Sequence, residues 1–333
     1  MNSLEYLKQC GTTVVIDTGE FETIHEYKPQ DATTNPSLIL AAAKKAEYQQ
    51  LINDCVDDVL ENQGMLDIEN KALVALDKLL VEFGSKILEL IPGRVSTEVD
   101  ARLSFDRKAT VRKALDLVLL YQARGISKER VLIKIAATYE GILAARELES
   151  VYGVHCNLTL LFTFTQAVAC AEAEVTLISP FVGRILDWYK DKEARNYARN
   201  EDPGVLFVKQ IFDYYKKYGY RTVVMGASFR NVGQIEELAG CDYLTISPTL
   251  MEVMVKSNTR IEKVLDSSKS FQRCKLDRLA LIDNEPMFRF NLNEDQMATE
   301  KLSEGIRKFA SDTESLLALL RSRIQHRLRD SKL

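Results

Sequence analysis

Histidine is scarce: His25, His155 and His326 are all that 333 residues contain. Zinc sites and serine-histidine-aspartate triads both lean on imidazole, so neither chemistry is expected and no metal is assigned. The six cysteines (Cys10, Cys55, Cys156, Cys170, Cys241 and Cys274) include no C-x-x-C pair. A chain of this length needs no disulfide staples, so a reducing compartment is the simple reading. No apolar run reaches the ~18 residues of a membrane span, and Met1–Cys10 lacks the apolar centre of a signal peptide. An excess of positive charge is also missing. With a net charge of -4 and a pI near 5.7, the chain is no candidate for nucleic-acid binding, and its basic residues are left for local work on small anions.

What is present is an alternation. Short β-branched runs occur at Thr13–Asp17, Ala32–Asn35, Arg94–Val99, Arg130–Ala136, His155–Phe162, Val175–Phe181, Thr222–Ser228 and Tyr243–Ser247. Between them lie stretches such as Ser37–Asn62, Lys71–Leu90, Lys108–Arg124, Glu140–Val151 and Gly204–Tyr218, with apolar residues at helical spacing. Strand alternating with helix implies a parallel sheet, and eight such units imply a closed (β/α)8 barrel. The expectation is an α/β fold, one TIM-barrel domain over residues 1–333 with additional helices at both ends. Residues 297–329 read as a long C-terminal helix whose Leu316, Leu317, Leu319 and Leu320 stripe packs on the barrel, while 256–291 reads as polar and irregular.

Barrel active sites sit at the C-terminal ends of the strands, and alternate side chains point inward. Polar residues at inward positions near strand ends are therefore the candidates. The fourth run reads Val-Leu-Ile-Lys-Ile, with Lys134 in the middle, and burying an ammonium is expensive. Around it stand Asp17 on the first run, Thr33 and Asn35 on the second, Ser96 and Glu98 on the third, Asn157 and Thr159 on the fifth, and Ser179 and Phe181 on the sixth. A lysine in a low-dielectric pocket has its charged form disfavoured, which frees the amine to attack a ketone and form an imine. Asp17 is placed to take the proton of the sugar hydroxyl at the bond to be broken, and Glu98 and Thr159 to hold the water that imine chemistry needs. Arg184 just past the sixth run, with Ser228 and Arg230 at the end of the seventh, makes a phosphate clamp.

The segments Asp31–Leu38 (DATTNPSL), Gly93–Arg102 (GRVSTEVDAR), Cys156–Phe162 (CNLTLLF), Ile178–Tyr189 (ISPFVGRILDWY) and Met225–Asn231 (MGASFRN) resemble the transaldolases. That resemblance implies a Schiff base on Lys134, with Asp17 as acid/base and Glu98 and Thr159 handling the catalytic water. It implies that Asn35, Asn157 and Ser179 orient sugar hydroxyls, that Thr33 and Phe181 line the pocket, and that Arg184, Ser228 and Arg230 bind phosphate. It further implies sugar-phosphate substrates, no cofactor and a homodimer. One departure is Tyr139, where relatives often carry tryptophan.

Plainer roles compete with several of these. Asp17 before Thr18-Gly19 suits a turn, Glu98 suits an ion pair with Arg94 or Arg102, and Asn35 before Pro36 suits a helix cap. Two other functions stand beside transaldolase: a fructose 6-phosphate aldolase using the same lysine, and a catalytically silent barrel with a binding role. The last three residues, Ser331-Lys332-Leu333, match the receptor-read peroxisomal address. The expected location is therefore the peroxisome, in a branch of sugar-phosphate rearrangement with the import receptor as partner; the alternative is the cytoplasm.

Overall fold

The computed structural model describes residues 1–21 and 24–330; the Ser331-Lys332-Leu333 ending lies outside the described residues. Eight parallel strands form a closed barrel in sequence order, the last bonded to the first. They are β1 Thr13–Asp17, β2 Asp31–Thr33, β3 Val95–Glu98, β4 Val131–Ala136, β5 Cys156–Leu161, β6 Leu177–Pro180, β7 Val223–Gly226 and β8 Tyr243–Ile246. Each β-branched run of the sequence becomes a strand, because closure buries both faces of the sheet. Outward residues such as Val14, Ile16, Ile133, Ile135, Cys156 and Leu158 pack against the helices. Inward, Val15, Leu132, Leu177 and Met225 form an apolar layer across the barrel. This layer is the floor on which the polar residues stand.

Helical periodicity gave the helices less exactly. The stretch Ser37–Asn62 is two helices, Pro36–Ala43 and Gln49–Asn62, joined by a 3-10 turn over Ala46–Tyr48. The Gln49 side chain allows the break by donating to the Ala43 and Lys45 carbonyls at 2.9 and 2.8 Å, which offsets bonds lost at the helix end. Residues 256–291, too polar to show a period, contain the helix Ser267–Arg273 and most of a second, Glu285–Glu294, each capped by the residue before it, Asp266 and Asn284.

The C-terminal helix Gln296–Asp330 has 35 residues and so spans about 50 Å. Its first half lies over the barrel mouth, where Met297, Leu302, Ile306 and Phe309 pack with Leu160, Phe162 and Phe181. Its second half packs Leu316, Leu317, Leu320 and Ile324 on the helices between β2 and β3, with Leu319 partly buried beside them. The leucine stripe thus meets the barrel's helices rather than its strands.

At the foot of the barrel, Arg130 donates to the carbonyls of Gly93 at 2.5 Å, Ile91 at 2.8 Å and Leu88 at 3.2 Å. These bonds tie the entry of β3 to that of β4, away from the mouth. Arg130→Met leaves three carbonyls short of a charged donor and is expected to cost about 2–3 kcal/mol. The check is a lower urea midpoint with KM unchanged; a raised KM at full stability contradicts a purely structural role.

Candidate active site

Lys134 stands one inward position above Leu132 of the apolar layer and is 3% exposed. Its head does not reach water along the barrel wall. Nζ donates to the Thr34 carbonyl at 3.0 Å, just past the end of the three-residue strand β2. The parallel register sets Glu98 of β3 on one side of Lys134 and Asn157 of β5 on the other. Glu98 Oε2 lies 3.5 Å from Nζ, a long contact for an ion pair. The ion pairs with Arg94 or Arg102 do not form: Arg102 binds Asp100 at 2.6 Å and Arg94 donates to the Glu129 carbonyl at 2.9 Å. Burial pushes the Glu98 carboxyl up to about 7, against the opposing pull of Lys134 and Arg184. Glu98 Oε2 and the Thr159 hydroxyl are both buried and lack a hydrogen-bond partner among the described residues. Two such oxygens on the strands either side of β4 are unusual, since buried polar atoms are nearly always paired.

Asp17 ends β1 and stays partly open to the mouth. Burial raises its pKa, opposed by Lys134, by a hydrogen bond from Thr33 and by Arg184. The Thr33 hydroxyl donates to Asp17 Oδ1 at 2.8 Å and lies 2.7 Å from the Thr245 hydroxyl. A hydroxyl has one proton to give, so Thr245 is the donor to Thr33. The turn role falls to the neighbour instead, with Thr18 Oγ1 accepting from the Glu20 amide at 3.0 Å. Across the barrel, Ser179 Oγ donates to Asn157 Oδ1 at 2.6 Å and Asn157 Nδ2 donates to Ser96 Oγ at 3.0 Å. Ser96 is among the inward polar residues named from the sequence; Thr245 is not, although its alternation with the buried Leu244 and Ile246 gives it the same inward face. Asn35 keeps its plainer role as well, since Oδ1 caps the helix Pro36–Ala43 through the Leu38 amide at 3.0 Å, leaving its amide nitrogen for a ligand. Tyr139 satisfies its extra hydroxyl by donating to the Ile282 carbonyl at 2.8 Å.

The second polar region lies where β6 and β7 end. Gly183 N–H donates to the Ser228 carbonyl at 2.9 Å, and a Cβ at Gly183 would stand 2.3 Å from that oxygen. Only glycine permits this approach, which seats the turn after β6 against Ser228 and Arg230. Ser228 itself has φ 59°, a left-handed conformation costing a non-glycine residue about 1 kcal/mol or more. Arg230 lies near the start of the helix Val232–Glu236, capped by Asn231, and its guanidinium already binds Asp187 at 2.7 and 2.9 Å. Arg184 differs. Among the described residues it makes no ion pair or hydrogen bond, and its guanidinium lies over the Phe181 ring at 4.8 Å. Burial lowers its pKa, and the charge of Arg230 adds to the effect. No cluster of histidine, cysteine and carboxylate fit for a metal exists among the described residues.

The comparisons with known proteins agree with this geometry. The family model described as transaldolase/fructose-6-phosphate aldolase matches residues 14–320. The chain is 60% identical to a transaldolase of Kluyveromyces lactis, over 97% of this chain and 96% of the relative. It is 57% identical to a transaldolase of Saccharomyces cerevisiae, over 97% and 96% of the two chains. Against a transaldolase of Bos taurus it is 56% identical, over 97% and 94%. With a buried lysine in a barrel whose first and third strands carry Asp17 and Glu98, and this likeness along nearly its whole length, the chain belongs to the transaldolase/fructose-6-phosphate aldolase family.

Proposed function

We propose that this chain is a transaldolase, a transferase that carries a dihydroxyacetone unit on Lys134 as a Schiff base. Sedoheptulose 7-phosphate and glyceraldehyde 3-phosphate become erythrose 4-phosphate and fructose 6-phosphate. The observation that carries the reading is the buried Lys134 amine, with Glu98 Oε2 at 3.5 Å and Asp17 facing the same enclosed space.

Glu98 is the base within reach of the Lys134 proton. The free amine attacks the ketose carbonyl carbon, and the resulting hydroxyl leaves as water with a proton from Glu98, forming the iminium. Asp17 takes the proton from the hydroxyl on the carbon beyond the scissile bond. The bond's electrons move to the iminium, the aldehyde departs, and an enamine stays on Lys134. An acceptor aldehyde then enters; the enamine carbon attacks it and Asp17 returns the proton to the new alkoxide. Water held by Glu98 and Thr159 hydrolyses the iminium and releases the product ketose. A carboxyl near 7 both gives and takes protons at neutral pH, which suits the two water steps. Asn35, Asn157 and Ser179 orient the sugar hydroxyls, Thr33 holds Asp17, Phe181 walls the pocket, and Arg184, Ser228 and Arg230 receive the phosphate.

A fructose 6-phosphate aldolase would use the same lysine without an acceptor, and the family model carries both names; the relatives above are named transaldolase. The intact set of site residues argues against a silent barrel. The reading also includes a homodimer, and peroxisomal import through Ser331-Lys332-Leu333, whose support is the terminal motif itself.

Borohydride added during turnover of fructose 6-phosphate is expected to trap the three-carbon unit on Lys134, with turnover depending on erythrose 4-phosphate. An adduct on another residue overturns the mechanism, and turnover without acceptor favours the aldolase. Below pH ~7 Glu98 is mostly a neutral acid and above it a carboxylate, so iminium hydrolysis by base-activated water should rise from pH 6 to 8 with a midpoint near 7. Glu98→Gln should flatten that profile; an unchanged midpoint assigns it to another group. Deleting Ser331–Leu333 should leave activity intact and move a fluorescent fusion from puncta to the cytosol, whereas persistent puncta refute the address.

A further inference from the structure

The two arginines at the phosphate end are held in different ways. Arg230 spends the edge of its guanidinium on Asp187. Arg184 is held instead by two aromatic rings, its guanidinium carbon lying over Phe181 at 4.8 Å and over Phe309 at 5.6 Å. Attraction to an aromatic ring holds a guanidinium in place without using its N–H groups as hydrogen-bond donors. Two of those donors can meet two phosphate oxygens at once. Phe309 comes from outside the barrel, on the C-terminal helix Gln296–Asp330. Its height over the mouth is set one turn earlier on the same helix face. Leu160, turned by a φ of 54° at the β5 irregularity, packs so closely on Gly305 that a Cβ there would lie 2.5 Å from a leucine methyl.

We infer that Phe309 is a positioning residue for phosphate recognition: the C-terminal helix lays its ring on Arg184 so that the guanidinium edge faces the phosphorylated end of the substrate. The inference rests on Arg184 as a phosphate ligand. Phe309 touches no reacting atom, and its ring acts through Arg184 alone.

The test compares glyceraldehyde 3-phosphate with unphosphorylated glyceraldehyde as acceptor. Phe309→Leu is expected to raise KM for the phosphorylated acceptor about three- to tenfold, the size of a partly desolvated cation–π contact, with KM for glyceraldehyde unchanged. Loss of fold lowers the active fraction and hence kcat, and leaves this KM ratio alone, so the ratio separates positioning from packing. Phe309→Met, unbranched and of about the same volume as leucine, packs differently, serves as the second variant and should give the same ratio. Arg184→Ala is the control. If it raises both KM values alike, the phosphate reading of Arg184 fails. If it is selective for the phosphorylated acceptor while both Phe309 variants keep the normal ratio, the inference about Phe309 alone is overturned.

Discussion

A lysine amine 3% exposed inside a ring of strands is costly to keep, and much of the mouth of this barrel is arranged around it. Its partners come from two neighbouring strands: the Thr34 carbonyl just past β2 and the Glu98 carboxylate of β3. Below it an apolar layer of Val15, Leu132, Leu177 and Met225 closes the barrel to water. An open sheet would turn this face of β4 toward a helix, where no strand end could supply a second carboxylate. Closure is therefore a chemical requirement here as well as a packing solution.

The same enclosure acts on the acids. Burial drives both Glu98 and Asp17 toward the protonated form, and the positive charges of Lys134 and Arg184 pull them back. The two groups differ in their partners. Asp17 is oriented by a hydroxyl chain from Thr245 through Thr33, which suits a carboxylate that must meet one substrate hydroxyl. Glu98 Oε2 has no hydrogen-bond partner among the described residues, as the proposed water-holding role requires. Two of the five non-glycine residues with positive φ among the described residues stand beside the site: Leu160, next to Thr159, and Ser228, two residues before Arg230. Strain of this kind persists where surrounding structure over-determines it.

The C-terminal helix connects the mouth to the outer shell. Its leucines lock onto the helices that follow β2, and its first half places Gly305 and Phe309 over the ends of β5 and β6. Residues more than a hundred positions from Arg184 in sequence thus form part of its surroundings.

Much of this was legible in the chain itself. The β-branched runs located all the strands within two residues at either end, and alternation assigned Lys134, Glu98, Asn157 and Thr159 to the inward face, because a side-chain period of two leaves no other choice once one member is placed. The terminal leucine stripe announced a helix. Other features could not be read that way. The break at Ala46–Tyr48 and the helices within 256–291 depend on side-chain caps rather than on apolar spacing. The pairing of Arg230 with Asp187, the unpaired edge of Arg184 and the ring of Phe309 above it are contacts between segments that only closure of the barrel brings together. Periodicity within a segment is a local property and determines which face a residue occupies; which partner it meets on that face is decided by how the strands and the last helix pack.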